Sequence, residues 1–306
     1  MAGKIVVVGS SNTDMILQMD HIPRPGETLL GGEFSMAAGG KGANQAVAAA
    51  RAGGTVTFLA RVGNDMFGQQ AIEGFRKDGI NVQHVISDPD APSGVALIFV
   101  ADDGENSIGV ASGANAQLSP ADIQRASETI AQADVLVMQL ETPLPAVQAA
   151  AEIAAAHGVR VILNPAPAQP LSDDLLSLVS VLTPNESEAE LLTGIEVADE
   201  NRAVLAADQL RSKGVATTVV TLGSQGAMVA SDDFSGPVSA FDVKPVDTTA
   251  AGDVFNGALA VALSEGETLE LAVKFASAAA ALAVTKLGAQ PSAPARKEIE
   301  RLLTSA

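Results

Sequence analysis

The run Asp247-Thr248-Thr249-Ala250-Ala251-Gly252-Asp253 ends in a carboxylate and opens onto an apolar helical pattern through Val254, Phe255, Leu259 and Val261. Small residues just before a helix leave its first backbone N–H groups uncovered, and those groups with the helix dipole form an anion hole. A carboxylate beside such a hole suits removal of a proton from a hydroxyl that attacks a bound phosphate. The positive end of the helix would also hold that carboxyl's pKa down. The plain alternative is that Asp253 caps the helix, the commonest role of Asp at such a place.

A second run, Gly39-Gly40-Lys41-Gly42-Ala43-Asn44, opens an Ala-rich helical stretch. Its glycines let a ligand approach the backbone, and Lys41 and Asn44 offer donors to hydroxyls or phosphate. It is not a P-loop, because Gly42 follows Lys41 where Ser or Thr is needed and Ser35 stands where the first Gly belongs. A tight helix start explains the glycines equally well.

These runs must be held by a scaffold. Short β-branched segments near Lys4–Val8, Thr55–Ala60, Asp134–Leu140, Val159–Leu163, Val179–Thr183 and Thr217–Leu222 alternate with helical patterns. The helical patterns cover Ala43–Ala52, Phe67–Asp78, Pro120–Ala131, Pro145–Ala156, Glu186–Leu192, Arg202–Ser212, Asp253–Ser264 and Leu269–Thr285. Apolar strands in such alternation predict a doubly wound α/β fold with a mostly parallel sheet flanked by helices, read as a single domain over 1–306.

In such sheets ligands bind beyond the carboxyl ends of the strands. Asn12 and Asp14, Glu141, Asn185 and Glu188 follow predicted strands and converge there, although each alone reads as a solvated loop residue. Thr221-Leu222-Gly223-Ser224-Gln225-Gly226 ends another strand in a turn able to lie against a base or a phosphate. Two segments, 14–38 and 94–111, break the rhythm. The second predicts two strands around Asp102-Asp103-Gly104-Glu105, and together the segments predict a small sheet standing off the core as a lid.

Bulk properties narrow the classes. The formal charge of −18, without any Lys/Arg cluster, excludes a nucleic-acid surface and requires local positive potential wherever an anionic substrate binds. Absence of Cys removes thiolate chemistry and disulfides, and three scattered histidines show no metal-ligand spacing. The apolar run after Lys4 is too short for a signal peptide and Ala278–Val284 too short for a membrane span, which predicts a cytoplasmic protein.

Taken together, the Gly39–Asn44 and Asp247–Gly257 runs resemble the two signature stretches of the ribokinase-like carbohydrate kinases, and the likeness extends from Ile5 to Ser292. The resemblance implies an ATP-dependent sugar kinase acting on a pentose such as ribose, with Asp253 as catalytic base and Ala250, Ala251 and Gly252 as the anion hole. It implies that Asn12, Asp14, Gly40, Lys41, Gly42, Asn44 and Glu141 hold the sugar, with Asp253 touching the acceptor hydroxyl. Asn185, Thr221, Gly223, Ser224, Gly226, Gly252 and Ser277 would line the ATP side.

The same likeness implies Mg²⁺ placed through water by Asn185 and Glu188. It implies a monovalent cation, potassium, at Asp247, Thr249, Ala283, Lys286, Gly288 and Ser292. Ser277 and Lys286 depart from the family pattern, where a larger His or Asn and an Arg are usual. A homodimer formed through the lid is also implied. Kinases for deoxyribose, fructose or a nucleoside remain alternatives, as does a sugar-sensing protein without turnover.

Overall fold

The computed structural model describes residues 2–305. Thirteen strands run along these residues: β1 (Lys4–Val8), β2 (Asn12–Met19), β3 (Glu33–Gly39), β4 (Thr55–Gly63), β5 (Asn81–Asp88), β6 (Gly94–Ala101), β7 (Asn106–Ala111), β8 (Val135–Met138), β9 (Arg160–Leu163), β10 (Val181–Leu182), β11 (Thr217–Thr221), β12 (Ala227–Ala230) and β13 (Gly236–Val238). Nine form one sheet in the order β13-β12-β11-β10-β9-β8-β1-β4-β5, parallel from β5 through β11 and antiparallel at β12 and β13. The expected fold class therefore holds.

Alternation along β1 explains why the sheet is covered on both faces. Ile5 and Val7 point into one apolar cluster with the helices Lys41–Arg51, Ala251–Ser264 and Leu269–Ala283. Val6 and Val8 point into a second cluster, beneath the helix Leu144–Ala156. Strands buried on both sides carry no polar alternation, which is why these runs read as continuously apolar.

The chain leaves β1 toward β4 and β5, then returns to place β8 on β1's other side. The order thus reverses between β1 and β8, and a doubly wound sheet opens its ligand crevice at such a point.

Three expected elements change. The strand expected over Asp134–Leu140 stops at Met138 because Gln139 leaves the ladder and turns its side chain into a polar network. The strand expected over Val179–Thr183 shrinks to Val181–Leu182. The expected helix Pro120–Ala131 divides at Ala126 into Pro120–Arg125 and Ser127–Ala131. Sequence periodicity also passed over β5, the edge hairpin β12–β13 and a last helix, Arg296–Ser305.

The two irregular segments join as a separate sheet in the order β3-β2-β6-β7, with β2 and β6 parallel. The turn at 102–105 is closed by the Ala101 amide donating to the Glu105 carbonyl, with Gly104 at φ 89°. Register puts Asp14, Ala37 and Ala96 on one face and Met15, Met36 and Leu97 on the other.

Candidate active site

Asn12 and Glu141 line the crevice between β1 and β8, and the helix that starts at Lys41 meets it there. The helix Lys41–Arg51 begins here because Gly40 takes φ 90° and Gly42 lies against the β1 turn. A Cβ on Gly40 would sit 2.7 Å from the Asn12 amide nitrogen, and one on Gly42 would sit 2.5 Å from the Ser10 nitrogen. The glycines therefore admit the chain's own backbone, and a ligand is not what demands them.

Glu141 is drawn to this helix start. Its Oε2 accepts from the Ser10 hydroxyl at 2.5 Å and from the Lys41 amide at 2.9 Å, so the carboxylate sits on the positive end of the helix. Asn12 is oriented by Asn115, which lies just beyond β7: Asn115 Nδ2 donates to Asn12 Oδ1 at 2.8 Å. Asn12 is left with its own NH₂ making no hydrogen bond among the described residues. The cleft, about 520 Å³, is lined by Asn12, Val110, Glu141, Thr142, Pro167 and Gln169 among others.

Asp253 lies in the first turn of the helix Ala251–Ser264 and is buried. It caps nothing. Ala250 holds the N-cap place, in the left-handed region at φ 59°, and no side chain caps that end. The Asp253 carboxylate instead accepts from Asn44 Nδ2 at 2.9 Å and from Gln45 Nε2 at 3.0 Å. The expected amide hole is also narrower than Ala250 to Gly252. Ala251 spends its N–H on the Thr248 carbonyl at 3.2 Å, while the amides of Ala250, Gly252 and Asp253 donate to no backbone carbonyl among the described residues. A Cβ on Gly252 would meet nothing within 4 Å, so this turn faces open space.

Electrostatics correct one expectation. Burial pushes the Asp253 carboxyl upward, and Glu141 adds to this; Lys41 and the bonds from Asn44 and Gln45 pull the other way without prevailing. Low dielectric around a buried acid thus outweighs the nearby ammonium and the two amide donors. Asp14 is driven to about 6, first by burial and then by the charges of Glu141 and Asp253. Glu188 is likewise raised by burial, against the pull of the Asn185 amide and Lys41. Lys41 therefore stands near both Asp253 and Glu188, and its ammonium forms no ion pair among the described residues.

On the other side of the turn, Asn185 and Glu188 cap the helix Glu186–Thr193 reciprocally, at 2.9 and 2.8 Å. Asn185 also bridges Thr221, which brings the Asn185 pair beside the turn Gly223–Gln225. Ser277 is buried on the helix Leu269–Ala283 and makes no hydrogen bond to that turn among the described residues. Asp247 accepts from the Thr249 amide at 2.9 Å and the Gly288 amide at 2.8 Å. Its carboxyl is desolvated, yet these donors hold its pKa below the usual value. The 247–249 and 283–288 segments are thereby brought together, while the Ser292 hydroxyl turns to the Ala289 carbonyl.

Sequence reasoning passed over Ser10, Gln45, Asn115, Gln139, Asn164, Thr183 and Asn256. A signal was present in three of them: Gln139, Asn164 and Thr183 each stand one place after an apolar strand.

A carboxylate at an open helix start, a free ammonium and a polar cleft at the crevice of a doubly wound sheet define a group-transfer site for a small hydroxyl substrate. Residues 2–296 match the description pfkB family carbohydrate kinase, and the chain belongs to that family. It is 48% identical over 306 residues, all of both chains, to a ribokinase of Haemophilus influenzae. Identity to a deoxyribokinase of Salmonella typhi is 40% over 301 residues, 98% of each chain. A solved Arabidopsis thaliana ribokinase complexed with ribose and ATP superposes with TM-score 0.92 at 34% identity, covering 99% of each chain.

Proposed function

We infer that the protein transfers the γ-phosphoryl group of ATP to a primary hydroxyl of D-ribose. The observation that carries this is the buried Asp253 carboxylate, set by two side-chain amides at the mouth of an open helix turn and near enough to Asp14 for the two charges to interact. The full-length likeness to ribokinases supports the substrate, and the deoxyribokinase likeness makes 2-deoxyribose the competing one.

In this reading Asp14 accepts from sugar hydroxyls, while Asn12 and Asn44 donate to them. Asn44 also keeps a buried oxygen, Oδ1, without a partner, ready to accept from a hydroxyl. The acceptor hydroxyl gives its proton to Asp253 as its oxygen bonds to the γ-phosphorus and the bond to the ADP oxygen breaks. The amides of Gly252 and Asp253 and the Lys41 ammonium receive the charge of the transferring group. Lys41 and the helix start thus supply the local positive potential that a chain of charge −18 must provide. A carboxyl raised by burial makes Asp253 a better base than a solvated Asp, at the expense of being harder to ionise.

Bound with ATP, Mg²⁺ neutralises phosphate charge, and Asn185 and Glu188 fit water-mediated contact because their capping leaves Glu188 Oε1 free of hydrogen-bond partners. The Asp247 carboxylate, held between the Thr249 and Gly288 amides, offers the hard oxygen donors a monovalent cation takes, although no cluster of three or more acidic or His ligands occurs among the described residues. Ser224, Gly226 and Ser277 complete the nucleotide side.

The small sheet acts as a lid, closing Ile108 and Val110 over the sugar. Its opposite face exposes Phe34, Met36 and Leu97, each more than half accessible, which suits a second copy of the chain as a homodimer partner. No helix among the described residues is long and apolar enough to cross a membrane, and use of ATP suits a cytoplasmic enzyme.

The test is ADP release with ribose, 2-deoxyribose, fructose or no sugar, in potassium and in sodium. Ribose-dependent release with the highest kcat/KM supports the reading. Preference for 2-deoxyribose moves it to the sibling kinase, and sugar binding without release makes the protein a sensor.

A further inference from the structure

Five buried polar side chains lie behind the base and none of them reaches the cleft: Gln45, Gln139, Asn164, Thr183 and Asn256, exposed by 0%, 1%, 7%, 1% and 1%. Apolar residues would fill such positions at lower cost, so the polar set needs a reason. Its bonds all run with one sense. Gln139 Nε2 donates to Gln45 Oε1 at 2.6 Å, which leaves the Gln45 NH₂ pointing away. That NH₂ donates to Asp253 Oδ1 at 3.0 Å and to Asn164 Oδ1 at 3.2 Å. Asn164 Nδ2 then donates to the Thr183 carbonyl at 3.1 Å, and the Thr183 hydroxyl to Asn256 Oδ1 at 2.7 Å. Asn256 Nδ2 closes on the Gly252 carbonyl at 2.8 Å.

One end of the chain therefore grips the base and the other grips the residue before it, the open turn of the proposed phosphoryl site. An isolated Gln can present either end of its amide to a carboxylate, and only the NH₂ end is attractive. Here the choice is made at Gln139. Its amide oxygen packs directly on Gly9, where any side chain would collide with it. The carboxyl ends of β8, β9 and β10 supply Gln139, Asn164 and Thr183, so the sheet edge sets the register of the whole relay.

We propose that Gln45 and Gln139 are positioning residues for Asp253, with Gln139 fixing the Gln45 amide so that it donates to the base and Asn164, Thr183 and Asn256 tying that base to the Gly252 turn. The catalytic role of Asp253 rests on the function inferred above; the orientation of its carboxylate does not. The charged groups facing Asp253 are Lys41 on the first helix, Glu141 after β8, Asp14 on β2 and Glu188 on the Glu186–Thr193 helix, and none of them belongs to the relay.

The test uses the full chain with Gln45→Met, Gln139→Met and the pair. Asp253 is titrated through its ¹³C carboxyl shift in the sugar-free protein, and kcat is followed against pH with saturating ribose. Losing one donor to an ionised carboxyl moves its titration up by about one pH unit. Gln45→Met gives that shift and lowers kcat at neutral pH about tenfold with little change in sugar KM. Gln139→Met gives a smaller shift of the same sign, and the double variant is no worse than Gln45→Met because both act through one amide. An unmoved Asp253 titration in Gln45→Met, or additive effects in the pair, overturns the proposal. Should Gln45→Met fail to fold, the Gln139→Met titration decides alone. If the wild-type chain phosphorylates no sugar, the function reading falls while the carboxyl titration still judges this one.

Discussion

The Gln45 amide meets the Asp253 carboxylate at 3.0 Å across 208 positions of sequence. This contact joins the Gly39–Asn44 and Asp247–Asp253 runs into one site, because Gln45 belongs to the helix that Gly40 starts and Asp253 to the helix that Ala250 starts. Both helices pack on the same face of the sheet, so the distance between base and sugar edge is fixed by the core rather than by a loop.

Replacing Asp253 with Asn keeps the shape and removes the proton acceptor. We expect kcat to fall by roughly 10² to 10⁴ with little change in sugar or ATP KM. Steady-state ADP release beside sugar calorimetry checks this, and near-normal turnover would remove Asp253 as the base.

Gly252→Ala separates folding from chemistry. A methyl there meets nothing in the protein and replaces a helical Gly, so unfolding free energy rises by up to about 1 kcal/mol. The same methyl enters the space assigned to the phosphoryl group, and kcat/KM drops at least about a hundredfold. Equal activity with raised thermal stability would show that the transferring group lies elsewhere.

Asp14 carries a stability cost that Asn would lift. Its carboxyl stands at about 6 in the fold against 3.8 as a free side chain, chiefly through burial and then through Glu141 and Asp253. Below 3.8 both states are protonated and Asp14→Asn is neutral by this mechanism. Between 3.8 and 6 the unfolded chain ionises first and draws the equilibrium away from the fold, and above 6 the whole penalty is present. Urea unfolding at pH 7 should show the variant more stable by roughly 1–3 kcal/mol, with the gain vanishing near pH 4 and the sugar KM raised.

Asp247→Asn should raise the potassium concentration needed for half-activation and leave sugar affinity nearly unchanged. Titration of activity with potassium chloride at constant ionic strength reads this directly. A variant with wild-type potassium response would move the cation away from the Asp247–Gly288 junction.

Leu97→Asp on the outer face of the small sheet should convert a dimer into a monomer, because an unpaired carboxylate in an apolar interface costs several kcal/mol. Sedimentation velocity at micromolar protein distinguishes the two. Wild-type protein sedimenting as a monomer would end the dimer proposal.

The fold was legible because β1, β8 and β9 carry apolar residues on both faces, and such runs between helical patterns admit few other arrangements. Strand β5 was not, since Asn81–Asp88 lies at an edge with a mixed pattern that follows neither period. Asn12, Asp14, Lys41, Asn44, Glu141 and Asp253 were visible as polar residues beside strand ends or glycines. The relay behind them was hidden for a physical reason. Gln45 lies within an Ala-rich helix, and a lone amide there reads as surface until the fold supplies Gln139, Asn164 and Asp253 as its partners. Asp253's titration was misjudged because a sequence shows the helix end but not the depth of burial.

All four crossings between the two sheets occur within a few residues of one seam, at Ser11–Asn12, Gly39–Gly40, Ser93–Gly94 and Ala111–Gly113. Asn115 clasps both the Ser11 amide and the Ser11 carbonyl there, and Gly94 leaves no room for a side chain beside it. The small sheet is thus attached like an exchangeable cartridge. A longer or shorter turn at 102–105, where a Cβ on Gly104 would meet nothing within 4 Å, would leave the four crossings and the base behind them in place.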